Sequence, residues 1–64
     1  MRNIVKQLRK QAGLRQEDMA KELGVSRQTI IAIEHDKYDP TLELAMKMAR
    51  LLKLHVDEIF FLDG

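Results

Sequence analysis

Apolar residues recur at steps of three and four along most of this 64-residue chain, the spacing that lines one face of a helix. Val5, Leu8 and Ala12 form the inward stripe of a first helix over residues 3–12, with Asn3 placed to cap it and Gly13 to end it. Leu14 reads as a buried connector. Met19, Ala20 and Leu23 repeat the pattern in a second helix, which runs from about Arg15 or Gln16 to Leu23 and stops at Gly24. Val25 then supplies an apolar plug. Ser26, the only serine, stands at the N-cap of a third helix running from Arg27 to about His35, with Ile30 and Ile33 pointing inward. A polar linker ends at Pro40, and Thr41 caps a fourth helix to roughly Leu52, striped by Leu42, Ala45, Met48, Ala49 and Leu52. Beyond the connector Lys53-Leu54-His55, the stretch from Val56 to about Phe60 predicts one or two turns of a fifth helix, with Asp57 and Glu58 at its positive end. The tail Phe61-Leu62-Asp63-Gly64 is too apolar for a free solvated terminus. The pattern predicts an all-α fold of five helices around one core, a single domain over residues 1–64.

The stretch from Gln16 to His35 organises the rest. Two short helices meet there at a glycine turn, the second is capped by serine, and Ala20 is small enough to let them cross closely. That arrangement predicts a helix-turn-helix over residues 16–35.

Composition narrows the chemistry. The chain has no cysteine, which excludes disulfides, thiolate metal sites and a cysteine nucleophile. No apolar run approaches the ~20 residues of a membrane span, and the first ten residues carry too much charge for a signal-peptide core. A soluble cytoplasmic protein with no membrane association is the expectation. His35 and His55 lack a nearby carboxylate or cysteine at ligand spacing, so no metal or other cofactor is expected. One serine and two distant histidines assemble no nucleophile–base pair, and no enzymatic activity is expected. The net charge of +1 is uninformative, but residues 1–37 hold eight Lys/Arg against five Asp/Glu, and residues 38–64 hold three against five. A basic half bearing the motif beside an acidic half fits a nucleic-acid face; without the motif, ordinary solvated helix faces would be the preferred reading.

The segments LRKQAGLRQEDMAKELGVSRQTIIAIEHDKYDP and TLELAMKMARLLKLHVDEIF resemble the phage-repressor and Cro type of helix-turn-helix transcriptional regulators. The likeness is to short bacterial members consisting of the DNA-binding domain alone, and it covers nearly the whole chain. It implies a five-helix repressor-like domain that inserts its third helix into the major groove of double-stranded DNA. Arg27 and Gln28 then take the exposed first turn that faces base edges, with Ile31 and Ala32 one turn further on. Gln16 matches a phosphate contact at the start of the second helix, with Arg15 beside it. Thr29, together with Lys37 and Tyr38 in the linker, matches positions that approach the DNA backbone, and Ser26 and His35 at the two ends of the third helix are further candidates for phosphate contact. Arg9 and Glu34 match a buried ion pair tying the first helix to the third. The chain departs from the family pattern at Arg15, where a Thr or Ser cap is usual, and at His35-Asp36, where Asn-Gly is common. Lys53 replaces a common glycine, His55 a common Ser or Thr cap, and Ile31 and Ala32 stand where polar side chains are frequent.

These residue types suit the role. Arg27 can give two parallel hydrogen bonds to guanine O6 and N7, and Gln28 can pair with adenine N6 and N7, each worth about 1–3 kcal/mol of discrimination. The plain alternative is that both are solvated first-turn residues. For Arg15 two readings stand: a tolerated surface residue, or a cation kept for a phosphate. One recognition helix reaches few base pairs, so a homodimer on two half-sites is expected, with Leu51, Leu54, Phe60, Phe61 and Leu62 as its apolar surface. The leading functional reading is a repressor on a symmetric operator. The alternative is an antitoxin-like module whose main contact is an unknown protein partner.

Overall fold

The computed structural model describes residues 1–63 and carries the helix-turn-helix at its centre. Four α-helices are present among the described residues: α1 (Val5–Gln11), α2 (Gln16–Leu23), α3 (Arg27–Glu34) and α4 (Leu42–Leu52). The predicted fifth helix is corrected. Val56–Glu58 makes a single 3-10 turn, and the chain then straightens into strand β2 (Phe60–Phe61), which pairs antiparallel with β1 (Arg2–Asn3). Arg2 lies opposite Phe61 and Asn3 opposite Phe60. The physical reason is the partner: two adjacent aromatics suit a pleated strand, and the Ile4 N–H donates to the Ile59 carbonyl at 3.0 Å, fixing the chain at the mouth of this small sheet. The domain is therefore mostly helical rather than purely so. Gly64 of the apolar tail lies outside the described residues.

The core gathers one face from each helix. Val5, Met19, Ile30, Ile33, Met48 and Ile59 are the largest fully buried side chains, with Ala20, Leu23, Leu44, Ala45, Ala49 and Phe60 completing the cluster. Ala20 is 3% exposed, as the close approach of α2 to α3 requires. Two stripe assignments shift. Ala12, just past α1, is exposed. Leu42 is 73% exposed, and Leu44 is buried in its place. Leu42 is the first helical residue after the Thr41 cap, where periodicity still puts it at the edge of the inward face but no neighbour covers it. It shares an open groove with Met46 and Arg50.

All four helices end the same way. In each, the residue just past the C-cap, or the C-cap itself, adopts a positive φ: Gly13 at 74°, Gly24 at 72°, Asp36 at 58° and Lys53 at 59°. Two backbone N–H groups then fold back on the last turn, as when Gly24 donates to the Lys21 carbonyl and Val25 to that of Ala20. After α3 the same pair runs from Asp36 to Ile33 and from Lys37 to Ala32. After α4 it runs from Lys53 to Arg50 and from Leu54 to Ala49. Closure without glycine is thus achieved with no change of motif, at the strain cost of holding an L-residue left-handed.

The helix starts are equally local. Ser26 Oγ accepts from the Thr29 N–H at 3.2 Å, and Thr41 Oγ1 from the Leu44 N–H at 3.2 Å. α1 begins at Val5 rather than Asn3, but Asn3 Oδ1 still accepts the Val5 N–H at 3.0 Å. No helix of the described residues is long and apolar enough to cross a membrane.

Candidate nucleic-acid interface

The foundation of the site is a buried ion pair. Arg9 Nε donates to Glu34 Oε2 at 2.7 Å and Nη2 to Oε1 at 3.3 Å, with the two side chains 8% and 0% exposed. Arg9 Nη1 also donates to the Leu14 carbonyl at 2.8 Å. One guanidinium thereby joins α1, the α1–α2 connector and the end of α3. The pair that the family resemblance implied is present, and its charges are compensated by bidentate geometry and further hydrogen bonds.

Gln16 extends this cluster to the surface. Its Nε2 donates to Glu34 Oε1 at 3.2 Å, and its Oε1 faces Arg27 Nη2 at 3.5 Å. The half-buried carboxamide thus bridges the interior pair and the first residue of α3. That bridging role was not visible in the sequence, where Gln16 reads as a phosphate contact at the start of the second helix.

On this footing α3 turns its N-terminal turn outward. Ile30 and Ile33 are fully buried, while Arg27 and Gln28 are exposed. Ile31 and Ala32 are half-buried beside them. The first turn of α3 holds no carboxylate, so the positive end of the helix dipole and the Arg27 charge act together there. Ser26 is exposed, with its Oγ 3.0 Å from Thr29 Oγ1, so the two hydroxyls form one polar edge of this turn. Thr29 and Tyr38 line a common groove with Val25 and Thr41. His35, Lys37 and Tyr38 are exposed at and after the far end of α3. The DNA-contact candidates on α3 and in the segment after it are thus exposed or half-buried.

Arg15 is 75% exposed and is paired on the surface with carboxylates of α2. Its Nε donates to Asp18 Oδ2 at 3.1 Å and its Nη2 to Oδ1 at 3.3 Å, with Glu17 at 3.5 Å. Asp18 Oδ2 also accepts the Arg15 backbone N–H at 2.9 Å, capping the start of α2 from inside the helix. The hydrogen bonds from Arg15 hold the Asp18 carboxyl below its usual range, and Asp18 in turn raises the Arg15 guanidinium. His55 repeats the device, its N–H donating to Glu58 Oε1 at 2.8 Å. An acidic residue three positions beyond a non-capping residue was the signal available in the sequence.

The proposed apolar partner surface divides. Phe60 is 7% exposed and belongs to the core, which corrects its assignment: alternation in β2 turns Phe60 inward and its neighbour outward. Phe61 and Leu62 are 40% and 87% exposed. Leu51 and Leu54 are half-buried and line a groove with Leu8 and Leu52. No group of three or more His, Cys, Asp or Glu side chains among the described residues is arranged to hold a metal ion.

A short helix with an exposed, cationic first turn, braced across a glycine turn by a second helix, defines a DNA-binding helix-turn-helix domain. The chain belongs to the helix-turn-helix family of transcriptional regulators, whose family model matches residues 5–59. It is 52% identical over 63 residues to an uncharacterised HTH-type transcriptional regulator of Methanocaldococcus jannaschii, covering 98% of this chain and 96% of that one. It is 40% identical over 63 residues to the HTH-type regulator YgzD of Bacillus subtilis, with 98% and 96% covered. Among solved structures it is similar to the restriction-modification controller protein C.AhdI of Aeromonas hydrophila. That match has a TM-score of 0.79 and 28% identity over 88% of this chain and 85% of that one.

Proposed function

We propose that this regulator is a repressor that binds a two-fold symmetric operator as a homodimer, with α3 in the major groove. The observation that carries the reading is the first turn of α3: Arg27 and Gln28 are exposed on a helix whose other face is locked into the core. Arg27 and Gln28 read base edges, and Ile31 and Ala32 offer apolar contact to thymine methyls. Gln16, Thr29, Lys37 and Tyr38 hold the phosphate backbone, with Ser26 and His35 at the two ends of α3 beside them. Arg15 is a weaker member of this set, because its donors already meet Asp18 and Glu17. Occupying a groove that another protein needs is sufficient for repression. The likeness to a controller protein of a restriction-modification system supports a regulatory role on DNA.

In this reading the dimer surface is the outward side of β2 and its continuation, Phe61 and Leu62, together with the half-buried Leu51 and Leu54. Replacing Phe61 and Leu62 together by polar residues should weaken self-association at least about tenfold, roughly 1.4 kcal/mol, while far-UV circular dichroism stays unchanged. Sedimentation identical to that of the wild type at micromolar concentration would remove these residues from the interface.

Selection of bound sequences from a pool of random duplex DNA tests the whole reading. The expected result is an inverted repeat whose half-site centres lie about 10–10.5 base pairs, or a multiple, apart. Recovery of no enriched motif would overturn it.

A further inference from the structure

Asn3 lies in β1, where its backbone pairs with Phe60, and its side chain reaches the end of the recognition helix. Its Nδ2 donates to the Ile33 carbonyl at 2.9 Å and to Asp36 Oδ1 at 3.0 Å, while its Oδ1 accepts the Val5 N–H at 3.0 Å. Among the described residues, no other side-chain hydrogen bond joins either strand to α3 or to the turn directly after it. The strand end of the link is firm, because the neighbouring Ile4 is bonded to Ile59, whose side chain is fully buried.

The turn that Asn3 holds is one of two left-handed helix ends made without glycine among the described residues. Asp36 has φ 58°, a left-handed conformation that a non-glycine residue keeps when its surroundings over-determine it. Asn3 supplies that determination twice, once at the Ile33 carbonyl in the last turn of α3 and once at the carboxylate of the left-handed residue itself. The left-handed turn sets the direction in which the chain leaves α3. The next two residues are Lys37 and Tyr38.

We propose that Asn3 is a positioning residue for DNA binding: by fixing the turn at Asp36 it holds Lys37 and Tyr38 against the phosphate backbone. The inference rests on the reading of α3 as the groove helix and adds to it a residue on a different element, which touches no DNA. Its action is on the backbone contacts and not on base reading.

The variant Asn3→Asp separates this role from capping. It keeps an acceptor for the Val5 N–H, removes both donors, and sets a carboxylate against Asp36. Binding would be followed by fluorescence anisotropy on a duplex recovered by selection and on a scrambled duplex of the same length, across a salt series. The temperature is one at which circular dichroism shows each variant folded. Asn3→Asp should weaken both probes by a similar factor, roughly three- to tenfold, and lower the salt slope by about one per subunit, as the loss of one phosphate contact does. In a Lys37→Ala background it should add little. The exchange Asn3→Asp with Asp36→Asn, which restores a donor and an acceptor across the same gap, should recover most of the affinity. Equal losses from Asn3→Asp with and without Lys37, a loss confined to the selected probe, or no recovery in the exchange variant would each overturn the proposal. Should Asn3→Asp not fold, Asp36→Ala cuts the same bond from the other side and must show the same coupling to Lys37, or the proposal fails. A wild type that binds neither probe would overturn the groove reading itself. A wild type that binds, with Asn3→Asp indistinguishable from it, would overturn only the role of Asn3.

Discussion

Arg9 and Arg15 each grip a carboxylate through two nitrogens, one in the junction of α1, α2 and α3 and the other at the exposed start of α2. The geometries are close: 2.7 and 3.3 Å to Glu34 for Arg9, 3.1 and 3.3 Å to Asp18 for Arg15. The surroundings are opposite. Arg9 and Glu34 are 8% and 0% exposed, whereas Arg15 and Asp18 are 75% and 36% exposed. The buried pair spans 25 residues of sequence and adds the Leu14 carbonyl and Gln16, so breaking it strands a charge in the interior. The exposed pair spans three residues, and water takes over whichever partner is left. Identical chemistry therefore fixes the relation between helices in one place and only the first turn of one helix in the other.

The largest expected effect is at the buried pair. Arg9→Ala or Glu34→Ala should each cost about 3–5 kcal/mol in urea unfolding. The double variant should cost clearly less than their sum, since neither residue then leaves its partner uncompensated. Additive losses would show that the two arginine–carboxylate pairs differ less than burial implies. Arg15→Ala should change the unfolding midpoint by only a small part of that shift, and any change should shrink as salt is added. A loss comparable to Arg9→Ala would contradict the contrast.

The smallest effect is in acid. Arg15 holds the Asp18 carboxyl below its usual range in the folded protein. As pH falls, the unfolded chain takes up this proton first, so the contribution of Asp18 is complete above the unfolded value and disappears as pH drops through the lower folded one. Asp18→Asn, which can still accept the Arg15 N–H, should therefore flatten the loss of stability below about pH 4. An acid limb as steep as that of the wild type would remove Arg15–Asp18 as its source.

What could be read in the sequence was the part written in short windows. Met19, Ala20 and Leu23, then Gly24, Ser26, Ile30 and Ile33, each carry a local signal, and all of them stand where periodicity and capping place them. Phe60 and Phe61 do not, because their strand is defined by Arg2 and Asn3 at the other end of the chain, and no window contains both. The left-handed turns at Asp36 and Lys53 carry no local mark, because glycine is the usual sign of that conformation; family resemblance alone pointed to them, as positions where glycine is common. Leu42 shows the limit of periodicity, which assigns a face but not how far the covering elements extend along it. Of the candidate site, the exposed first turn of α3 and the ion pair beneath it were foreseen by family resemblance. The Gln16 bridge and the Asn3 clamp were not, since both join side chains far apart in sequence.

The division of labour on DNA is tested most directly by comparing Gln28→Ala with Lys37→Ala on the selected operator and on scrambled duplex. Gln28→Ala should weaken the operator by about 1–3 kcal/mol, relax preference at one position per half-site, and leave scrambled DNA nearly unaffected. Lys37→Ala should weaken both duplexes alike and reduce the salt dependence, because one fewer counterion is released per subunit. A Gln28→Ala variant that lost affinity equally on every duplex, or a Lys37→Ala variant with a changed preferred sequence, would contradict the placement of α3 in the major groove.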